Sequence, residues 1–131
     1  MRKNLTYGVL AGVFYLTSCL PNNTCDEIAK SFRDDEQFHL VLTEKNHKGR
    51  EAHLYGIDLK YKQETEFFDD SGWIEETFDK FQIGDTLLKD LGKYTIIIKR
   101  GHKTIKIPYE CEKFQGDSTF KKVYQDDSLK Y

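Results

Sequence analysis

The chain has 131 residues, enough for one small domain, with 20 basic against 22 acidic side chains and a formal net charge of −2 at pH 7. That balance supplies no basic field to hold a nucleic-acid backbone, and it equally argues against electrostatic adhesion to anionic lipid head groups.

Arg2 and Lys3 precede a largely apolar run from Leu5 to Leu16, which closes on Leu16-Thr17-Ser18-Cys19. A basic start, a short apolar run and small residues before a cut site are the parts of an export signal. The run is short of the ~20 residues that a transmembrane helix needs, and Pro21-Asn22-Asn23 ends it abruptly. Leu-Thr-Ser-Cys also resembles the lipobox of bacterial lipoproteins, which implies that Cys19 is lipidated and becomes the mature N-terminus. Residues 1–18 are then a signal peptide, 19–24 a tether, 25–113 a small β domain and 114–131 a charged, partly mobile tail. Loss of Arg2 and Lys3 leaves 18 basic residues against 22 acidic ones, a charge near −4. Leu20, directly after the cysteine, is not acidic; by analogy with the retention rule of enteric bacteria this points to the outer membrane.

With Cys19 assigned to lipid, Cys25 and Cys111 remain as an even pair in an oxidising compartment, and a Cys25–Cys111 disulfide is predicted. Such a bridge stabilises by roughly 4 kcal/mol on a chain-entropy accounting, because the loop it closes is long. Two free thiols or a metal pair are the alternatives, the latter a weak zinc signal without a CxxC.

Thr24-Cys25-Asp26-Glu27 reads as a capping box, followed by a short helix to about Arg33 with Ile28, Ala29 and Phe32 on one face. A strand over Gln37–Glu44 and another over Arg50–Tyr61 flank the turn Asn46-His47-Lys48-Gly49. Pairing Lys45 with Arg50 sets Leu42 against His53, Leu40 against Tyr55 and Phe38 against Ile57, and Gly56 predicts a bulge or bend in the second strand. The stretch from Lys62 to Lys80 is acidic with interleaved aromatics: a strand near Glu64–Phe68, a turn at Asp69–Gly72, then a strand or short helix from Trp73 to Phe81. Gln82–Asp85 is a turn, and a short apolar segment over Thr86–Leu91 ends at Gly92. In the clearest hairpin, Tyr94, Ile96 and Ile98 face Tyr109, Ile107 and Ile105 across Gly101-His102, a pair suited to a type II′ turn. Pro108 suggests an edge strand. The fold class is mainly β: a small antiparallel barrel or a strongly bent sheet of about five strands, with one short N-terminal helix.

The candidate chemistry is sparse. His39, His47, His53 and His102 share no metal-motif spacing, and the pattern calls for no metal and no cofactor. Asp69-Asp70 and Glu75-Glu76 are doublets whose members point to opposite faces of a strand, so neither makes a glycosidase pair; Asp69-x-Ser71-x-Trp73 is too short for a calcium loop. Ser71 and Ser118 lack a nucleophile-elbow context. Phe67, Phe68 and Trp73 are the candidate partner contacts, weighed against the need of a small domain for aromatic core.

The segment Phe81-Gln82-Ile83-Gly84-Asp85-Thr86, the chain through Gly92 and the hairpin ending at Tyr109-Glu110-Cys111 together resemble the small lipoproteins common in Bacteroidota. The resemblance implies an envelope address and carries no catalytic motif. The expected function is a non-enzymatic, membrane-anchored envelope lipoprotein that binds or stabilises another envelope protein, with no nucleic-acid partner. The rivals are an immunity or inhibitor lipoprotein that blocks a basic toxin or hydrolase, and an envelope hydrolase with an unrecognised site.

Overall fold

The computed structural model describes residues 24–115 and 118–126. Cys19, the signal segment and most of the tether lie outside the described residues. Helix α1 (Cys25–Asp35) comes first, then strands β1 (Phe38–Lys48), β2 (Glu51–Asp58) and β3 (Glu64–Asp69). A one-turn helix α2 (Trp73–Glu76) and a 3-10 turn (Phe78–Lys80) lead to β4 (Thr86–Lys89), β5 (Thr95–Arg100), β6 (Lys103–Gln115) and β7 (Ser118–Tyr124). All pairings are antiparallel, in one seven-stranded sheet of order β3-β2-β1-β4-β5-β6-β7.

The sheet does not close, so seven strands in an open sheet replace the five-stranded barrel. β3 and β7 are its edges. Closure is replaced by filling: α1 lies against β6, and α2 touches both β2 and β6. The buried stripe of α1 (Cys25, Ala29, Phe32) enters the same core as Leu40, Leu54, Ile74, Phe81 and Ile98. At the centre Phe32 packs edge-on against Trp73 at 5.0 Å and stacks on Tyr109 at 4.9 Å, while Trp73 and Tyr109 lie 4.8 Å apart. Offset and edge contacts of this kind are the favoured aromatic geometries.

The first hairpin forms in a different register from the one expected. The chain stays extended through Lys48 and turns at Gly49 and Arg50, so Lys48 pairs with Glu51, and Leu42 with Gly56. The moved turn by itself keeps the parity of the pairing. A one-residue bulge in β1 changes it and so flips β2 relative to Leu40 and Leu42: Ala52 and Leu54 point into the core, and His53 and Tyr55 point out. The bulge falls on β1, between Leu42 and Glu44, opposite Gly56 rather than at it. Leu42 N–H donates to the Asp85 carbonyl and Gly84 N–H to the Leu42 carbonyl, each at 2.8 Å, so the loop before β4 takes both main-chain groups of Leu42. Gly56 serves close approach instead, since a Cβ there would stand 2.6 Å from Leu40 Cδ1.

The second hairpin forms as expected, with Ile96 against Ile107, Ile98 against Ile105, and Gly101 at φ +58° while His102 stays outside the left-handed region. Pro108, however, is not on an edge strand. β6 runs past β5 and pairs its second half with β7, starting at Tyr109–Tyr124. Tyr109 N–H bonds the Tyr94 carbonyl on the β5 side, so the proline nitrogen faces the β7 side, one residue before that ladder begins. β7 itself lies within residues 114–131, the segment read from sequence as a tail.

Two charged groups are built into this frame. Lys89 is fully buried, yet its ammonium donates to the carbonyls of Asp90 (2.6 Å), Glu36 (2.9 Å) and Arg33 (3.3 Å) and sits 4.7 Å from the Phe32 ring centre. It thereby caps the C-terminal carbonyls of α1 from inside the core. Burial pushes its pKa down to about 8, with Asp126, Glu36 and Asp90 pulling weakly the other way. Asp85, 2% exposed, accepts both Arg100 Nε and Nη2 at 2.7 Å and Gln82 N–H at 2.8 Å. Burial pushes the Asp85 carboxyl up, but the arginine fork and the Gln82 amide outweigh it and hold the pKa below its ordinary value.

The two groups give opposite pH signatures. The unfolded chain holds the Lys89 proton up to the ordinary lysine value of 10.5, and the folded one loses it near 8. The unfolded state therefore binds more protons in that interval, and stability rises with pH there by up to about 3 kcal/mol. Lys89→Met removes this rise; urea unfolding across alkaline pH checks it, and equal slopes in the two proteins contradict it. Asp85 stabilises above its unfolded pKa, and its contribution is lost as pH falls through the depressed folded value. Asp85→Asn is therefore expected to lose about 2–3 kcal/mol at neutral pH and to show a flatter acid limb. An unfolding midpoint unchanged at neutral pH contradicts that assignment.

Candidate functional site

Helix α1, the turn between β3 and α2, and the middle of β6 enclose a groove with two lobes. The turn is shaped by Asp69, whose Oδ1 accepts from the Ser71 amide (3.2 Å) and hydroxyl (2.7 Å) and whose Oδ2 accepts the Ile74 amide (3.0 Å). Asp69 thus supplies the cap that Gly72, the N-cap residue of α2, cannot. Gly72 has φ +88°, and its missing side chain leaves room for the Arg50 guanidinium, which donates to the Ser71 carbonyl at 2.5 Å. Arg50 in turn comes from the β1–β2 turn, so the register of that hairpin places it here.

The first lobe, about 490 Å³, lies between Trp73, Glu75 and Glu76 on one side and Glu110, Cys111 and Glu112 on the other. The second, about 930 Å³, opens between α1 and the end of β3, with Glu27, Glu36, Phe68 and Asp70 among its lining. Ile28, Arg50, Ser71 and Tyr109 border both. The electrostatics are one-sided. Among the described residues lining the two lobes are eight acidic side chains and a single basic one, Arg50. Several of the eight have internal partners: Glu27 closes the capping box with Thr24, Asp69 shapes the turn, and Glu110 pairs with Lys121 at 3.0 Å. Glu76 and Glu112 both line the first lobe. Burial first, then Glu112, raises the Glu76 carboxyl above its ordinary pKa.

The predicted residues are distributed unevenly around this groove. Cys25 and Cys111 are joined as a disulfide, with Cα atoms 5.6 Å apart, and the bridge ties the first turn of α1 to β6 beside the first lobe. Phe67 and Trp73 belong to the core, at 6% and 2% exposure, and offer the groove only their edges; Phe68 is 45% exposed. Trp73 Nε1 is buried and has no hydrogen-bond acceptor among the described residues, although buried indole N–H groups usually find one. The histidines do not join the groove. His39 bonds Asp90 and His53 bonds Glu66, each at 2.5 Å, and His47 packs on Phe78. No group of three or more metal-ligating side chains gathers among the described residues. No helix among them is long and apolar enough to cross a membrane.

Sequence reading missed Glu110 and Glu112. The usable signal was the alternation Tyr109, Glu110, Cys111, Glu112 continuing past the cysteine, which extends β6 and sets both glutamates on one side of it. Comparison with family models, with curated proteins and with solved structures finds no match to this chain.

Proposed function

We propose that this chain is an envelope lipoprotein, anchored through Cys19, whose domain is a non-enzymatic binding module for a basic segment of another envelope protein. One observation carries the binding part: the groove has an apolar floor that includes Ile28, Trp73 and Tyr109, and among the described residues lining it eight acidic side chains stand with one basic one, Arg50. A partner presenting lysines or arginines around a small apolar side chain complements both features, and its attraction is long-ranged and salt-sensitive. An immunity role uses the same chemistry, with a basic toxin as owner of the segment.

Trp73 is the only tryptophan of the chain, so its fluorescence reports groove occupancy directly. A basic peptide carrying one central leucine is expected to change that emission saturably, with affinity falling as salt is raised. An acidic peptide of the same length should leave it unchanged. Glu75→Gln with Glu76→Gln should weaken binding by about tenfold. A basic peptide that leaves the emission unchanged at low salt overturns the proposal.

The anchor is tested separately. Cys19→Ser is expected to move the protein from the membrane fraction to the soluble fraction and to abolish incorporation of labelled palmitate. Retention of the variant in washed membranes contradicts the anchor.

A further inference from the structure

We propose that the two open edges of the sheet are complementary, and that β3 of one copy of this chain adds as a neighbouring strand to β7 of the next, building an open-ended row of copies. The pairing uses the sheet edges rather than the groove, so it is independent of the groove reading.

An edge strand presents a row of unpaired main-chain donors and acceptors, and proteins commonly guard it with charge. Among the described residues, β3 and β7 make no main-chain hydrogen bond beyond their ladders with β2 and β6. Their guards have opposite signs. β3 carries Glu64, Glu66 and Asp69 and no basic residue; β7 carries Lys121 and Lys122 and no acidic one. Like charges therefore oppose β3 on β3 and β7 on β7, whereas β3 on β7 is attractive. Both edges also leave apolar surface in water. Phe68, Phe120 and Val123, at 45, 48 and 43% exposure, are half of the exposed large apolar side chains among the described residues. Opposite charge and exposed apolar surface thus coincide on the two strands that lack a second neighbour.

Topology sets how the edges meet. Each of the six pairings in the sheet reverses strand direction, so β3 and β7 run the same way. Copies that repeat one operation and keep the outer face of the sheet continuous therefore join them in parallel. On that outer face β3 shows Glu64, Glu66 and Phe68, away from the buried Phe67. β7 shows Lys121 and Val123 there, away from the buried Tyr124. Setting Glu66 beside Lys121 sets Phe68 beside Val123, because each strand advances by two residues. His53 Nδ1 holds only Oε1 of Glu66, so Oε2 can accept from the neighbour. Lys121, 56% exposed, reaches Glu110 at 3.0 Å and keeps further N–H donors. The contact is a single ladder of six residues, small against a standard interface, so association is weak and shows at high concentration.

Sedimentation velocity over a concentration series reads the association, on oxidised full-length protein in a non-ionic detergent. The wild-type sedimentation coefficient is expected to keep rising with concentration rather than level off at a dimer, and to fall as salt is added. Glu66→Lys and Lys121→Glu should each weaken association about tenfold. The double variant, and an equimolar mixture of the two single variants, should regain most of it, since both restore an acid–base pair at every junction. Phe68→Ser and Val123→Ser, at exposed positions, should each weaken it about threefold. Ile83→Ser, exposed in the loop before β4, should change nothing. Thermal unfolding verifies that every variant is folded; if Lys121→Glu is not, Glu66→Lys and the two serine variants decide. A chain that stays monomeric at every concentration overturns the proposal. A plateau at the dimer also does, because it marks a two-fold pairing of like edges. Association that folded Glu66→Lys and Lys121→Glu leave unmoved, or that Ile83→Ser weakens as much as Phe68→Ser, contradicts it equally.

Discussion

Helix α1 is held at both ends, and most of the domain follows from that constraint. At its first residue Cys25 is bonded to Cys111 on β6. At its last turn the Lys89 ammonium, carried by β4, takes the Arg33 and Glu36 carbonyls, and Gly92 N–H also donates to the Arg33 carbonyl at 2.7 Å. An eleven-residue helix is marginal in isolation. Here it is tied to two strands of one sheet, and Phe32 between the ties reaches the aromatic centre. The sheet can remain open because the helix occupies the space that closure would otherwise have to fill. Its N-terminal turn is further bound to the last strand: Asp26 accepts from Lys122 at 2.8 Å and from Tyr124 at 2.6 Å.

The groove is a by-product of that arrangement. Three elements that do not pair with one another meet around Trp73 and Tyr109: α1, the β3–α2 turn, and the part of β6 that β5 no longer covers. Where unpaired elements meet, side chains on their rims project into a common space. Here those side chains are acidic, and the polar groups that shape the backbone, Asp69 and Arg50, are spent on holding the turn. The disulfide stands at the edge of the first lobe, so it fixes the wall that carries Glu110 and Glu112 relative to the helix that borders the groove.

What could be read from the chain and what could not divide along physical lines. The capping box at Thr24–Glu27 was legible because it is local: both reciprocal bonds form within four residues. The β5–β6 hairpin was legible because six apolar positions, Tyr94, Ile96, Ile98, Ile105, Ile107 and Tyr109, alternate on one face and Gly101 names its turn. The cysteine pairing followed from a small set of thiols. The first hairpin misled because Asn46-His47-Lys48-Gly49 has turn composition while the actual turn lies at Gly49-Arg50; that shift keeps parity, and it is the bulge between Leu42 and Glu44 that puts His53 on the outer face. The bulge opposite Gly56 is marked by no local pattern in β1. β7 was invisible for a related reason. Phe120 and Val123 are exposed, while Lys122 reaches back to α1, so apolar alternation does not mark it. The acidic wall that Glu75 and Glu76 of α2 share with Glu110 and Glu112 of β6 exists only once both elements are placed.

A binding role for the groove needs α1 to be a rigid wall, and that rigidity is attributed to its two anchors. Hydrogen exchange of the α1 backbone amides, followed by mass spectrometry with and without reduction of Cys25–Cys111, tests this most directly. In the oxidised protein the α1 amides after the first turn should exchange as slowly as those of β6. On reduction they should lose that protection while β1, β4 and β5 keep theirs. Fast exchange of α1 in the oxidised protein, or protection that reduction leaves untouched, would contradict the account.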